Sequence, residues 1–233
     1  MDMLLDLDPA RGPAAVLRSL LSRWLPPSAV DVAAAVRAAH DTGMGAHGGP
    51  PAALLARGEQ LLARRLGVAS MQLTPLIAAL SEYAAAAVVL AEGFERMANI
   101  CFDTDAAGLA RKQAAADAGA LASIVGGMRA HASSEGVQEW GCYALRNICF
   151  GSDAAGLARQ QAAADAGALA SIVGGMRAHA SSEGVQRSGC NALGNICFGS
   201  DAAGLARKQA AADAGALASI VGGMRAHASS EGV

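Results

Sequence analysis

The chain repeats itself with a period of 48 residues, and no other feature constrains its fold as strongly. The stretch 135–150, EGVQEWGCYALRNICF, returns as 183–198, EGVQRSGCNALGNICF, and in weaker form as 87–102, AVVLAEGFERMANICF. A period of this length is typical of repeat proteins, in which each unit buries its apolar face against its neighbours. The units are 55–102, which is degenerate, 103–150, 151–198, and 199–233, which is incomplete.

Each full unit predicts three helices. The first covers Ala107 to Ala118 and ends in a sharp turn at Ala118-Gly119. The second covers Ala120 to His131, with apolar residues at i, i+3, i+4 and i+7 along one face. The third begins after a serine that can cap it and ends near Phe150. Apolar residues make up 53% of the chain and aromatic residues only 3%, which favours closely packed helices over a sheet. We expect an all-α fold, with close helix packing at Gly126-Gly127.

Residues 1–54 do not share the repeat. Pro13 to Leu25 and Ser28 to His40 have helical patterns, and the glycine- and proline-rich run Asp41 to Pro51 predicts a linker. We interpret this region as a helical cap that shields the first unit. A separate docking element is the alternative.

Composition excludes several function classes. A formal charge of −2 and a pI near 6.2 give no electrostatic footprint for nucleic acid or an anionic membrane. No apolar run approaches the roughly 20 residues of a membrane helix. The acidic start MDMLLDLD argues against secretory and mitochondrial signals. Cys142 and Cys149 lie too far apart on one helix for a disulfide. We expect free thiols and a cytoplasmic or nuclear protein.

A three-helix unit with AGAL-x-x-I followed by VQ-x-x-GC-x-AL-x-NIC resembles the armadillo repeat. The residue pattern is most similar to that of the vacuolar armadillo adaptor family and of the armadillo region of leucine-rich-repeat kinases. The resemblance is strong over 103–233 and weak over 55–102. It implies a right-handed superhelix whose third helices line a concave groove, and a function in protein–protein interaction.

The differences between units two and three cluster on the third helix. The units differ at seven of 48 positions, and four of these fall on one arc of a helical wheel. We call these positions the variable stripe: Glu139, Trp140, Tyr143 and Arg146 in unit two, and Arg187, Ser188, Asn191 and Gly194 in unit three. The opposite arc is the same in both units and is the predicted buried face. A clustered stripe predicts a partner that each unit contacts differently, and Trp140 with Tyr143 would be an apolar anchor.

The resemblance also implies a role for third-helix asparagines, which in peptide-binding members hydrogen-bond the ligand backbone. Asn99, Asn147 and Asn195 match that position, and we expect them on the exposed arc beside the stripe. The tryptophan that often lies four residues earlier is replaced by Glu95, Tyr143 and Asn191, which weighs against a nuclear import adaptor. Arg146 and Arg187 favour an acidic or mixed partner.

No residue pattern indicates catalysis or a cofactor. The recurring histidines, such as His131, close helices, where a donor meets free carbonyls. The cysteines have no metal-ligand spacing and are interpreted as core residues, and no phosphate-binding loop occurs. We therefore expect a non-catalytic scaffold without metal. A regulatory or spacer array of a larger enzyme such as a kinase is the alternative. Because the last unit lacks its third helix, we expect a fragment of a longer array or self-association through its end.

Overall fold

A computed structural model describes residues 59–60, 63–64 and 66–229 of the chain. This part is all-α, with no strand among the residues described. A short 3-10 turn at Val68–Ser70 precedes ten α-helices. They are α1 Leu73–Glu82, α2 Ala87–Ile100, α3 Ala106–Asp117, α4 Ala120–Ala130, α5 Glu135–Ile148, α6 Ala154–Asp165, α7 Ala168–Ala178, α8 Glu183–Ile196, α9 Ala202–Asp213 and α10 Ala216–Ala226. The predicted cap and linker of residues 1–54 lie outside the described residues.

The predicted helices of each unit are confirmed to within one or two residues. Aspartates provide the N-caps of the first helices: the Asp105 carboxylate accepts from the Gly108 amide at 2.7 Å, and Asp153 and Asp201 do the same in their units. The turn before the second helix needs a left-handed residue, which Gly119 supplies with φ 83°. In the degenerate unit, α1 and α2 hold the places of the second and third helices.

Neighbouring units pack helix against equivalent helix. The third helices α2, α5 and α8 contact one another in sequence, as do the second helices α4, α7 and α10 and the first helices α3, α6 and α9. The predicted buried face of α5 is confirmed, and it joins one continuous core with the other helices. Its members are Val137, Gly141, Cys142, Ala144, Leu145, Ile148 and Cys149.

The paired glycines of α4 differ in their surroundings. A Cβ atom on Gly127 would lie 2.8 Å from Cζ of Phe94 in α2, so the helices approach as closely as predicted there. A Cβ atom on Gly126 would meet nothing within 4 Å, so the expected close packing is wrong for that residue. Gly126 faces solvent, while Gly127 faces the preceding third helix.

None of the described helices is long and apolar enough to cross a membrane.

Candidate functional site

The third helix of unit two, α5, is held in place by its buried face and by hydrogen bonds to the helices before and after it. Its residue Gln138 is buried, and the Gln138 Nε2 donates to the carbonyls of Met128 at 2.8 Å and His131 at 3.0 Å. These carbonyls end α4, so one side chain ties the second helix to the third. Gln186 makes the same two bonds, to Met176 and His179, in unit three. The stripe therefore lies on a helix whose rotation is fixed by packing.

Three stripe residues of unit two form one cluster. The rings of Trp140 and Tyr143 meet edge to face, with centroids 5.8 Å apart and planes at 82°. The Arg146 guanidinium lies over the Tyr143 ring, 5.2 Å from its centroid. All three side chains are half-buried, so the aromatic pair keeps apolar surface open to solvent. Such edge-to-face and cation–π pairs hold large side chains in defined positions.

The fourth stripe residue, Glu139, lies against the next third helix. A Cβ atom on Gly184, in the first turn of α8, would meet the Glu139 Oε1 at 2.5 Å. The carboxylate therefore rests near a helix N-terminus, where negative charge is favoured. Position 139 thus borders the junction of two units rather than the centre of the stripe.

Unit three presents a more polar version of the stripe. Arg187 and Asn191 are exposed, and Arg187 forms an ion pair with Glu183 at 3.4 Å, one turn earlier on the same helix. Ser188, the counterpart of Trp140, is buried. The aromatic cluster of unit two is thus replaced by an exposed polar surface in unit three, although Ser188 is not part of that exposed surface.

The three asparagines differ in burial, and Asn147 is not placed as the helical wheel predicted. Asn147 is only 5% exposed, and its Nδ2 donates to the Ala98 carbonyl of α2 at 2.9 Å. Asn195 is half-buried, and its Nδ2 donates to the Arg146 carbonyl of α5 at 2.9 Å. The expected exposure is therefore wrong for Asn147, because a neighbouring third helix covers that side of α5. Asn99 is exposed, and its side chain forms no hydrogen bond with the other described residues.

This pairing leaves one side of each amide available. The Oδ1 atoms of Asn147 and Asn195 accept no hydrogen bond from the described residues, whereas both Nδ2 groups are occupied by the preceding unit. A free amide oxygen can accept from a peptide N–H. The structure brings Trp140, Tyr143 and Arg146 together and spaces the asparagines one per unit.

Sequence reasoning missed a basic clamp at the end of each third helix. Arg159 is 2% exposed, and its Nε donates to the Ile148 carbonyl at 2.8 Å while its Nη2 donates to the Phe150 carbonyl at 3.0 Å. Arg111 and Arg207 hold the equivalent carbonyls of Ile100 and Ile196. A cation that recurs every 48 residues, about ten residues after a helix end, is the signal that would have found it.

In units two and three, the residue after the clamp arginine adds two more bonds. Lys112 is fully buried, and its Nζ donates to the Cys101 and Asp103 carbonyls. Gln160 reaches the same positions in unit three, donating to the Cys149 carbonyl at 3.2 Å and the Gly151 carbonyl at 2.8 Å. Burial lowers the pKa of the Lys112 ammonium, and neighbouring Arg159 lowers it further.

Exposed phenylalanines also recur, beside the clamp. Phe102, Phe150 and Phe198 are 57%, 45% and 50% exposed, one after each third helix. A large apolar side chain kept at the surface in every unit extends the candidate surface beyond the stripe. The sequence shows these residues at constant spacing, but their exposure depends on the turn that follows each helix.

A histidine ends each second helix of units two to four, as predicted, and its side chain also bonds to the preceding unit. His131 is the C-cap of α4, and its Nε2 lies 2.8 Å from the Ala84 carbonyl of the preceding unit, to which it donates. His179 bonds to Ala132 in the same way at 2.9 Å. Among the described residues, no three His, Cys, Asp or Glu side chains are grouped as a metal site.

The cysteines are free thiols in or beside the core. Cys101, Cys142 and Cys149 are buried, and Cys190 and Cys197 are half-buried. Burial raises the pKa of Cys142 and Cys149 to about 12. These thiols stay protonated at neutral pH and are packing residues, as the sequence predicts.

Comparison of the chain with protein-family models, with curated proteins and with solved structures gave no match.

Proposed function

We propose that the chain is an armadillo-type solenoid that binds a partner protein or extended peptide along its third helices. Two findings support the architecture: units two and three have the same three helices, and equivalent helices of neighbouring units contact one another. Hydrogen bonds between units recur at the same spacing, as in the bonds of Asn147 and Asn195 to the preceding third helix. Stacked units with nearest-neighbour interfaces are what a solenoid requires.

The observation that carries the binding function is the Trp140–Tyr143–Arg146 cluster. It lies on α5, whose other face is shared residue for residue with α8. An ordered, half-buried aromatic pair with an adjacent arginine has the composition of interface hot spots. The available Oδ1 atoms of Asn147 and Asn195 would accept from the partner's backbone, and Arg146 and Arg187 favour an acidic or mixed segment.

The chain itself supplies the test, since unit three is a natural variant of unit two. Peptides would be selected from a displayed library on the whole chain, and affinities measured by isothermal titration calorimetry. The quadruple variant Glu139→Arg, Trp140→Ser, Tyr143→Asn, Arg146→Gly gives α5 the stripe of α8 and keeps the residues of the buried face. Its unfolding curve is recorded as well, because Trp140 and Tyr143 pack against the core. We expect a loss of affinity of about thirtyfold, the effect of removing a hot spot.

Asp103→Gly with Thr104→Ser is the matched control, because these changes are also taken from unit three and lie outside the stripe. The control should bind as the parent does. An unchanged affinity in the quadruple variant, with an unchanged helical signal, would show that the stripe is not the binding surface. Asn147→Ala also removes a bond between units, so its binding is interpretable only beside its unfolding curve, whereas Asn99→Ala avoids this complication.

A further inference from the structure

The second helix of unit four carries an apolar face that the other units cover. Leu217, Val221 and Met224 of α10 are 68%, 44% and 57% exposed. Their counterparts in α7, Leu169, Val173 and Met176, are 5%, 1% and 1% exposed. The two helices have the same sequence, ALASIVGGMRA, so the difference comes only from what packs against them.

In units two and three, the third helix of the same unit packs on this face, and the second helix of the next unit packs beside it. In unit three α8 packs on α7, and a Cβ atom on Gly189 would lie 2.7 Å from Met176 Cγ, so only glycine fits over that methionine. Three residues earlier, Gln186 donates to the Met176 and His179 carbonyls at 2.7 and 3.1 Å. Unit two has the same arrangement, with Gly141 over Met128.

Unit four lacks these contacts within the described residues. No described side chain donates to the Met224 or His227 carbonyl. Among the described residues, the third helix that contacts α10 is α8 of the preceding unit, which lies at Gly223 and not over this face. The unit differs from unit three at a single position, Lys208 for Gln160, which lies on the first helix and not on this face. The exposed surface is therefore the same as the one α8 recognises on α7, and it continues an interface already present in the molecule.

We propose that the α10 face binds one amphipathic helix with the pattern Val-Gln-x-x-Gly-Cys-x-Ala-Leu. Its glycine would lie over Met224, its glutamine would donate to the Met224 and His227 carbonyls, and its apolar residues would cover Leu217 and Val221. This surface is separate from the variable stripe and does not depend on the function proposed for it. The specificity comes from shape, because a larger residue in place of the glycine collides with the methionine.

The binding test uses a fluorescein-labelled peptide of residues 183–198, EGVQRSGCNALGNICF, and the whole chain under reducing conditions. Fluorescence anisotropy should show saturable binding. The Gly189→Leu peptide should bind about tenfold or more weakly, and the chain variant Leu217→Asp should lose binding. The chain variant Leu205→Asp is the matched control, because Leu205 is 56% exposed on α9 and lies outside this face. It should bind the peptide as the parent does.

A second measurement covers a peptide too poorly helical to bind alone. The same helix sequence is joined after Val233, where tethering raises its effective concentration to the mM range. The extended chain should then unfold at a higher urea midpoint than a second extended chain, in which leucine replaces the glycine of the added helix. The proposal is overturned if the peptide fails to bind at about 1 mM and the two extended chains unfold alike. It is also overturned if the unmodified chain sediments as a dimer that Leu217→Asp disrupts, since a second copy would then occupy the face.

Discussion

At the scale of single residues, two different side chains donate to the same carbonyl positions in units two and three. The carbonyls after each third helix need donors, and unit two supplies the ammonium of Lys112 where unit three supplies the amide of Gln160. Both residues are buried. Leaving a buried carbonyl without a donor costs more free energy than the hydrogen bond contributes to stability. This position therefore needs a hydrogen-bond donor, but the donor need not be charged.

The variant Lys112→Gln should therefore unfold within about 1 kcal/mol of the parent, whereas Lys112→Met should be less stable by about 1–3 kcal/mol. Urea unfolding followed by the helical signal measures both. Equal losses in the two variants would show that charge, and not hydrogen bonding, holds this position.

The same lysine makes stability depend on alkaline pH. Its folded-state pKa is lowered from 10.5, mainly by burial, so between the two values the unfolded chain binds the proton more strongly. The contribution of Lys112 should therefore rise with pH in that window, whereas the raised pKa values of the cysteines make stability fall there. The difference in unfolding free energy between the parent and Lys112→Gln isolates the lysine, and it should shift in favour of the parent as the pH rises. Unfolding free energies measured at several pH values up to 10.5 make the comparison.

The thiols should divide into two reactivity classes. Cys142 and Cys149 are buried with pKa values raised to about 12, and Cys101, also buried, has a pKa of about 11. At pH near 8 we expect iodoacetamide to modify Cys190 and Cys197 first, since these are half-buried, and the other three only after unfolding. Mass spectrometry of the modified peptides locates the adducts. Modification of native Cys142 as fast as Cys190 would contradict the burial.

At the scale of helices, the paired glycines of α4 give a contrast between adjacent positions. Gly126→Ala should stabilise the chain by about 0.5–1 kcal/mol, because a helical glycine is replaced where a methyl group has open space. Gly127→Ala should destabilise it, because the new methyl group meets the Phe94 ring.

Gly174→Ala, at the open position of α7, is the control and should behave like Gly126→Ala. Thermal unfolding followed by circular dichroism measures all three. A gain in stability from Gly127→Ala would mean that α2 and α4 are further apart than the structure shows.

The helices were predictable because their signals are local. Aspartate caps, a left-handed glycine and apolar spacing each act within a few residues, and near-identical units repeat them. The buried face of α5 followed from the wheel for the same reason. The burial of Asn147 and the open surroundings of Gly126 were not predicted. A helical wheel describes a single helix, and it contains no information about which residues the neighbouring helices cover. The clamp residues were missed since their acceptors lie on the preceding helix, about ten residues away.

At the scale of the whole molecule, position in the stack decides what a residue contributes. Leu169 and Leu217 have the same neighbours in sequence but are 5% and 68% exposed. Leu169→Ala should cost about 2–5 kcal/mol, whereas Leu217→Ala should change stability by no more than about 0.5 kcal/mol. Guanidinium unfolding of the two variants tests this, and equal losses would show that the end of the array is packed as tightly as its middle.

The bonds between units have one further consequence. Several of them join residues 46 to 49 positions apart, as in Arg159 with Gln113, His179 with Ala132 and Asn195 with Arg146. Each unit makes these bonds only with the unit beside it, so they do not depend on its place in the series. Removing residues 151–198 would connect Phe150 to Gly199 and recreate the junction found at Phe150-Gly151 and at Phe198-Gly199. A gene built this way can gain or lose 48 codons by unequal recombination. The interfaces between units in the resulting chain would be of the kinds already present in the parent chain.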